Sequence, residues 1–161
     1  MIPFRIGLGY DVHRFAEGRP LWLGGVRIDH DTGLMGHSDA DVLLHAVCDA
    51  LLGAVGLGDI GTHFPDSDPQ WKGADSKVLL AAVVALVHKA GWQVGNVDCT
   101  LVLERPKVMA HAPAMRAVMA PLLGVDVNAV SIKATTNESM GFVGRAEGAC
   151  AHAVALVHRT G

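Results

Sequence analysis

The sequence predicts an α+β fold: a single domain in which one mixed β-sheet carries helices on one face, a ferredoxin-like sandwich. Length and composition are the first reason, because 161 residues with 50% hydrophobic content suffice for one well-packed core and are too few for two. The order of the apolar periodicities is the second. After a glycine-marked opening it runs strand, helix, helix, strand, helix, strand, strand, with no internal repeat.

Phe4 to His13 alternates, with Gly7 and Gly9 marking close passage past another element, and reads as the first strand. Leu21 to Ile28, interrupted by Gly24-Gly25, reads as a bent hairpin. Ser38 stands at capping-box spacing from Asp41, and Val42, Leu43, Leu44, Ala46, Val47, Leu51 and Leu52 follow at helical spacing. This starts a helix at Ser38 and carries it to about Val55. Gly56 to Ser76 lacks periodicity but contains Phe64 and Trp71, as an ordered active-site loop would. Asp75 or Ser76 caps a second helix that Gly91 ends, and its apolar run Val78 to Val87 predicts burial on more than one side. Trp92 to Glu104 is a strand, broken by Pro106-Lys107. A helix follows from about Pro113 to Met119, with Pro121 kinking or ending it. Val127 to Thr136 and Gly148 to Arg159 are the last strands, separated by a glycine-rich turn from Ser139 to Arg145.

A formal net charge of −3 and the lack of any Lys/Arg run argue against broad nucleic-acid or membrane-surface binding. An anionic substrate would have to be held by metals and a few placed cations. Cys48, Cys99 and Cys150 are odd in number, far apart and set among apolar residues, which suggests neither a disulfide framework nor a CxxC metal site and fits a reducing compartment. Met1 to Arg5 runs into strand-like sequence without a targeting pattern, and Val78 to Val87 falls far short of the roughly 20 residues that span a bilayer. A soluble, cytoplasmic protein is expected.

Ionisable groups gather in several places. His37-Ser38-Asp39-Ala40-Asp41-Val42-Leu43-Leu44-His45 puts them at the start of an apolar helix, whose free N–H groups would make His37 and Ser38 a phosphate seat. Asp41 and Asp49 stand one turn either side of His45, where a carboxylate can orient a metal-bound imidazole. Alone, His45 reads at least as readily as a hydrogen-bonded core or surface histidine. Asp11 and His13 are two apart on a strand and share a face; alone they read as a strand end reaching solvent. Together Asp11, His13 and His45 offer one oxygen and two nitrogens, the ligand set of an open zinc site. In Lys133-Ala134-Thr135-Thr136-Asn137-Glu138, hydroxyls and amides can bind phosphate and the carboxylate Mg²⁺, or the cluster is simply a polar strand end. Asp59, Asp66 and Asp68 can hydrogen-bond a polyol, cap turns or bind a metal.

Taken in order, Gly7-Leu8-Gly9-Tyr10-Asp11-Val12-His13, the His37-to-His45 stretch, the Gly58-to-Ser76 loop, Arg105-Pro106-Lys107, Ala134 to Glu138 and Gly141 to Gly148 resemble a known family. It is that of the 2-C-methyl-D-erythritol 2,4-cyclodiphosphate synthases of the non-mevalonate isoprenoid pathway. The likeness extends over almost the whole chain. It implies a homotrimer with active sites between adjacent subunits. The reaction it implies converts 4-diphosphocytidyl-2-C-methyl-D-erythritol 2-phosphate to the cyclic diphosphate and CMP, with the substrate's own 2-phosphate as nucleophile.

By this resemblance Asp11, His13 and His45 hold Zn²⁺, Glu138 helps place Mg²⁺ or Mn²⁺ between the α- and β-phosphates, and His37 and Thr136 stabilise the transition state. Ser38 takes the attacking phosphate. Asp41, Asp49, Asp59, Gly61, Phe64, Asp66 and Asp68 are expected at the substrate, with Asp59, Asp66 and Asp68 on the methylerythritol hydroxyls. Leu103, Pro106, Lys107, Val108, Met109, Ala134, Thr135 and Thr136 would take cytidine diphosphate from the neighbouring subunit. Phe142, Arg145 and Glu147 match residues lining an axial cavity proposed to bind isoprenoid diphosphates; Arg145 would clamp a diphosphate or belong to an Arg–Glu ring closing the trimer. Leu103, Asn137 and Ala149 depart from frequent family residues, and none is a metal ligand.

Such chemistry suits these residues, because phosphoryl transfer depends mainly on positioning and charge neutralisation. Two other readings share the same residues: a zinc-dependent diphosphate hydrolase, which would give a linear product, and a trimeric sensor that binds isoprenoid diphosphates without catalysis.

Overall fold

The computed structural model describes residues 2–159. Its longest strand, β1 (Phe4–Glu17), turns Gly7, Gly9, Asp11 and His13 toward α1 (Val42–Val55). A Cβ on Gly7 would stand 1.8 Å from the Ala50 carbonyl oxygen, and one on Gly9 1.8 Å from that of Ala46. Ala46, Ala50 and Ala54 recur once per helical turn, so small residues meet bare backbone and the two elements close up. That contact carries Asp11 and His13 to the N-terminal part of α1, where His45 lies.

A hairpin of β2 (Leu21–Leu23) and β3 (Val26–Ile28) turns at Gly24-Gly25, with φ of 59° and 75° as a tight hairpin turn requires. The main sheet adds β4 (Thr32–Leu34), β5 (Gln93–Val102), β6 (Val130–Thr135) and β7 (Gly148–His158) in the order β4-β1-β7-β5-β6, with only β5 and β6 parallel. Short α2 (Ile60–His63), then α3 (Ser76–Lys89), α4 (Ala112–Leu123) and short α5 (Gly141–Gly144) complete the chain. The core lies between the sheet and α1, with α3 packed outside; every residue of α1 except Asp49 and Gly53 is buried.

The expected mixed sheet with helices on one face is present. Its connectivity corrects the ferredoxin-like expectation: βαββαβ does not describe a chain in which helix α4 links β5 to an adjacent parallel β6 before β7 returns between β1 and β5. The first main helix also starts later than predicted. Ala40 has φ 58°, and Asp41 is the cap, accepting the Leu44 N–H at 3.1 Å, so Ser38 lies outside the helix and its capping box does not form.

In α3, Leu79, Leu80, Val83, Val84 and Val87 are buried whereas Val78 is 57% exposed, so an all-apolar run is buried on one side only. α4 continues through Pro121 to Leu123, because a proline in the last turn removes little of the hydrogen-bond ladder before Gly124 ends it at φ 71°. The region from 56 to 76 is ordered by α2 and a 3-10 turn at Pro69–Trp71.

Candidate active site

Three polar atoms converge where β1 meets α1. Asp11 Oδ2 lies 2.9 Å from His13 Nε2 and 3.0 Å from His45 Nδ1, and the two ring nitrogens are 3.2 Å apart. His13 Nδ1 stands 2.8 Å from the Met35 carbonyl oxygen. A carbonyl only accepts, so that nitrogen carries the proton and the Nε2 electron pair turns toward Asp11 and His45. Electron-pair donors this close repel unless a proton or a cation sits among them, and one oxygen with two nitrogens on an open side suits Zn²⁺. Burial opposes the charge on Asp11, but the His13 and His45 imidazoles, when a proton stands on the nitrogens that face it, outweigh burial and hold the carboxyl down to about 2. Burial also opposes a charged His45, and Asp11 outweighs it, raising the imidazole's pKa.

A cleft of about 490 Å³ opens on this triangle, and Asp11, His13, His37, Ser38, His45, Gly61, Phe64 and Asp66 all line it. Trp71 closes one wall, meeting Phe64 edge-on at 4.9 Å between centroids. His37 Nε2 is buried without a hydrogen-bond partner among the described residues. The segment bearing His37 and Ser38 is tied down from two sides. Arg19 Nη2 donates to the Ser38 carbonyl at 2.8 Å, and the Gly73 N–H donates to the His37 carbonyl at 2.8 Å.

A second cavity, about 190 Å³, gathers Leu103, Pro106, Lys107, Val108, Met109, Ala134, Thr135 and Thr136, all the residues expected at the nucleotide. Glu138 stands beside it: Thr136 Oγ1 accepts the Glu138 N–H at 3.3 Å and donates to Glu138 Oε1 at 3.3 Å. Glu104, to which sequence reasoning assigned no role, accepts the N–H groups of Asn137 at 2.9 Å and Ser139 at 3.3 Å. It thereby braces two consecutive left-handed residues, Glu138 at φ 52° and Ser139 at φ 61°. Thus Thr136 and Lys107, with Glu138 bonded to Thr136, line a cavity that shares no residue with the cleft of the Asp11–His13–His45 triangle.

Several expected site residues have other occupations. Asp41 is fully buried, its carboxylate accepting N–H groups of Gly24 at 2.9 Å, Gly25 at 2.7 Å and Leu44 at 3.1 Å. It cannot reach a substrate, and the helix start it caps offers no phosphate seat to His37 and Ser38. Asp49 accepts the Ile60 N–H at 2.7 Å and so anchors α2 instead of orienting His45; burial, chiefly, raises its pKa. Asp59 caps α2 through Thr62 at 2.8 Å, and Asp68 caps the 3-10 turn through the Gln70 N–H at 3.1 Å. Neither lines the cleft. Arg145 Nε donates to Glu147 Oε1 at 2.9 Å within the same chain, both side chains exposed, and Phe142 is 40% exposed nearby in sequence.

The fold and the triangle define an α+β protein in which Asp11, His13 and His45 could hold a metal ion at an open cleft. The chain belongs to the YgbB family, whose profile matches residues 4–158. It is 63% identical over 155 residues to the 2-C-methyl-D-erythritol 2,4-cyclodiphosphate synthase of Pseudomonas fluorescens strain Pf-5, covering 96% of this chain and 99% of that relative. It is 60% identical over 155 residues to the synthase of that name from Porphyromonas gingivalis strain W83, covering 96% of each. A solved 2C-methyl-D-erythritol-2,4-cyclodiphosphate synthase in its CDP-bound form aligns with a TM-score of 0.87 at 39% identity, over 95% of this chain and 99% of that one.

Proposed function

We propose that the chain performs the reaction for which these relatives are named, closing 4-diphosphocytidyl-2-C-methyl-D-erythritol 2-phosphate into 2-C-methyl-D-erythritol 2,4-cyclodiphosphate. It is a phosphorus–oxygen lyase of isoprenoid precursor synthesis. The observation that carries this reading is the Asp11–His13–His45 triangle opening into a cleft that His37 and Ser38 also line.

An oxygen of the substrate's 2-phosphate forms a bond to the β-phosphorus as the bond from that phosphorus to the CMP oxygen breaks, and CMP leaves with the electron pair. Since the nucleophile is already an anion, the chain needs no general base. Its task is to bring the two phosphates in line and to meet charge as it spreads over the phosphoryl oxygens. His37, on the cleft wall, donates to such an oxygen. Ser38 holds the attacking phosphate, and Thr136 Oγ1 faces the charge on the nucleotide side. Zn²⁺ on Asp11, His13 and His45 would polarise a phosphoryl oxygen, and Mg²⁺ or Mn²⁺ placed by Glu138 would neutralise phosphate charge. Gly61, Phe64 and Asp66 bound the methylerythritol end, while Leu103 to Met109 with Ala134 to Thr136 receive the cytidine diphosphate.

Two half-sites in separate cavities support a homotrimer in which neighbouring copies bring them together. The uncovered sheet face supports it as well: Phe4, Ile6, Leu8, Tyr10 and Val12 alternate along β1 with exposures of 41–69%. Such a row seeks another chain. Phe142, Arg145 and Glu147 would then line the trimer axis, where Arg145 could hold an isoprenoid diphosphate on exchanging its Glu147 partner. No helix among the described residues is long and apolar enough to cross a membrane, in keeping with a cytoplasmic enzyme.

Phosphorus NMR of the purified protein with the diphosphocytidyl substrate, Zn²⁺ and Mg²⁺ tests the reading. Cyclic diphosphate signals appearing with CMP are expected. CMP with linear phosphates alone would identify a hydrolase, and unchanged substrate despite bound zinc would favour the sensor.

A further inference from the structure

We propose that Ser76 and Asp39 act as a positioning relay that holds His45 with its Nδ1 electron pair turned toward Asp11 and His13. The inference rests on the reading of that triangle as a metal site. Hydrogen-bond bookkeeping assigns the relay from its far end inward. The Asp39 carboxylate can only accept, and it does so from the backbone: Oδ2 takes the Ser76 N–H at 2.9 Å and Oδ1 the Asp41 N–H at 3.1 Å. Oδ1 also receives the Ser76 hydroxyl proton. A serine has a single proton to give. Ser76 Oγ, 2.8 Å from His45 Nε2, must therefore accept there, which places the ring's proton on Nε2. Ser38 Oγ, 3.2 Å from the same nitrogen, is a second and longer contact, and it already accepts the Ala40 N–H.

Nδ1 is thereby left as the electron pair facing Asp11 Oδ2 at 3.0 Å and His13 Nε2 at 3.2 Å. Ser76 is fully buried, so water does not compete for its hydroxyl. On the other side of the triangle, the Met35 carbonyl does the same for His13 in one step. The carboxylates on His45's own helix are not available for this task, because Asp41 is committed to Gly24, Gly25 and Leu44 and Asp49 to Ile60. A metal-bound imidazole commonly hands its second N–H to a carboxylate; here a buried serine stands between the two.

The relay also joins distant parts of the chain. Ser76 opens α3 and closes the region from 56 to 76 that carries Asp66 and Trp71, and the Asp39 N–H donates to the Ala74 carbonyl at 3.0 Å. Order in the cleft wall and orientation of His45 are thus coupled through the same two residues.

Long-range proton–nitrogen NMR on the metal-free, ¹⁵N-histidine-labelled protein, at a pH where His45 is neutral, reads the tautomer directly. The Nε2–H form is expected in the unaltered chain, giving way to a mixture in Ser76→Ala. Zinc affinity by chelator competition should fall roughly 10- to 100-fold in Ser76→Ala, and by less in Asp39→Asn, which keeps an oxygen acceptor. An Nδ1–H tautomer in the unaltered protein, or unchanged zinc affinity in a folded Ser76→Ala, would overturn the proposal. Because the first measurement needs no variant, a Ser76→Ala chain that fails to fold does not shield it. Failure of the unaltered chain to bind zinc while showing the Nε2–H form would instead remove the metal reading and leave the relay standing.

Discussion

Gly9 lies so close to Ala46 that a Cβ on the glycine would stand 1.8 Å from the Ala46 carbonyl oxygen and 2.7 Å from the Ala50 nitrogen. The contact is two residues from Asp11 and one from His45. How near β1 comes to α1 at this point therefore sets the span of the Asp11–His13–His45 triangle.

Gly9→Ala is expected to lower stability by about 3 kcal/mol or more, because the methyl meets backbone that no rotamer change can move aside. The folded fraction should also bind zinc less tightly, since relief means moving the helix away. Urea unfolding with zinc titration checks both, and a variant as stable as the parent would contradict the close packing.

His45→Ala should reduce bound zinc well below one ion per chain while leaving helix content and assembly intact. The ring sits at the edge of the core and contacts mainly polar groups, namely Asp11, Ser38 and Ser76. Metal analysis with sedimentation decides the matter; full zinc retention would remove His45 from the ligand set.

Glu104 offers a sharper contrast between two substitutions. Gln keeps a side-chain oxygen for the Asn137 and Ser139 N–H groups, whereas Ala leaves the left-handed pair at Glu138 and Ser139 unbraced. Glu104→Ala should lower kcat/KM roughly tenfold, about 1.4 kcal/mol, and raise the Mg²⁺ concentration needed for half-maximal rate. Glu104→Gln should keep both near the parent values, and equal losses in the two would argue against bracing.

The Asp49 pKa yields a prediction about pH. Burial, with Asp59 and Asp11 adding to it, raises its folded-state pKa above the unfolded value, despite the Ile60 N–H. A raised carboxyl stabilises the fold below the unfolded pKa, and that contribution is lost as pH rises through the folded value. Asp49→Asn, which keeps an oxygen for the Ile60 N–H, should therefore have the higher urea midpoint at neutral pH. The gap should close as pH falls to the ordinary carboxylate range. A variant less stable at neutral pH than in acid, relative to the parent, would reverse the sign.

Leu8 tests the assembly. It is 69% exposed at the middle of the apolar row on β1, and on the uncovered side of the sheet an aspartate there costs the single chain little. In a trimer closed over that face it would bury a charge without a partner. Leu8→Asp is expected to sediment as a monomer with little catalytic activity, and an intact trimer would place the interface elsewhere.

Legibility followed the range of the interactions. The apolar periods of α1 and α3 and the glycines of the β2–β3 turn each act within a few residues, so the elements were readable. Element ends were not: Ser38 has the spacing of a cap, yet Ala40 turns left-handed and Asp41 takes over. The apolar run of α3 looked buried all round because hydropathy registers side chains and not the solvent beyond Val78. Asp39 lay inside the most polar stretch of the chain and drew no assignment, since nothing local distinguishes it from Asp41.

By itself the sequence determined an α+β domain and the chemistry of its ligands. An Asp-x-His two apart on one strand face, a histidine near the start of an apolar helix and glycines where that strand must be approached closely are local facts. Only the tertiary structure decided which carboxylates stand with His13 and His45 and which serve the fold. Asp41 and Asp49, the nearer candidates along the helix, are drawn off by the backbone of Gly24, Gly25, Leu44 and Ile60. His45 is met instead by Ser76, 31 residues away, and Ser76 by Asp39, 37 residues away. A hydrogen bond needs its two atoms within about 3 Å, and which distant atoms come that close is settled by packing of the whole chain.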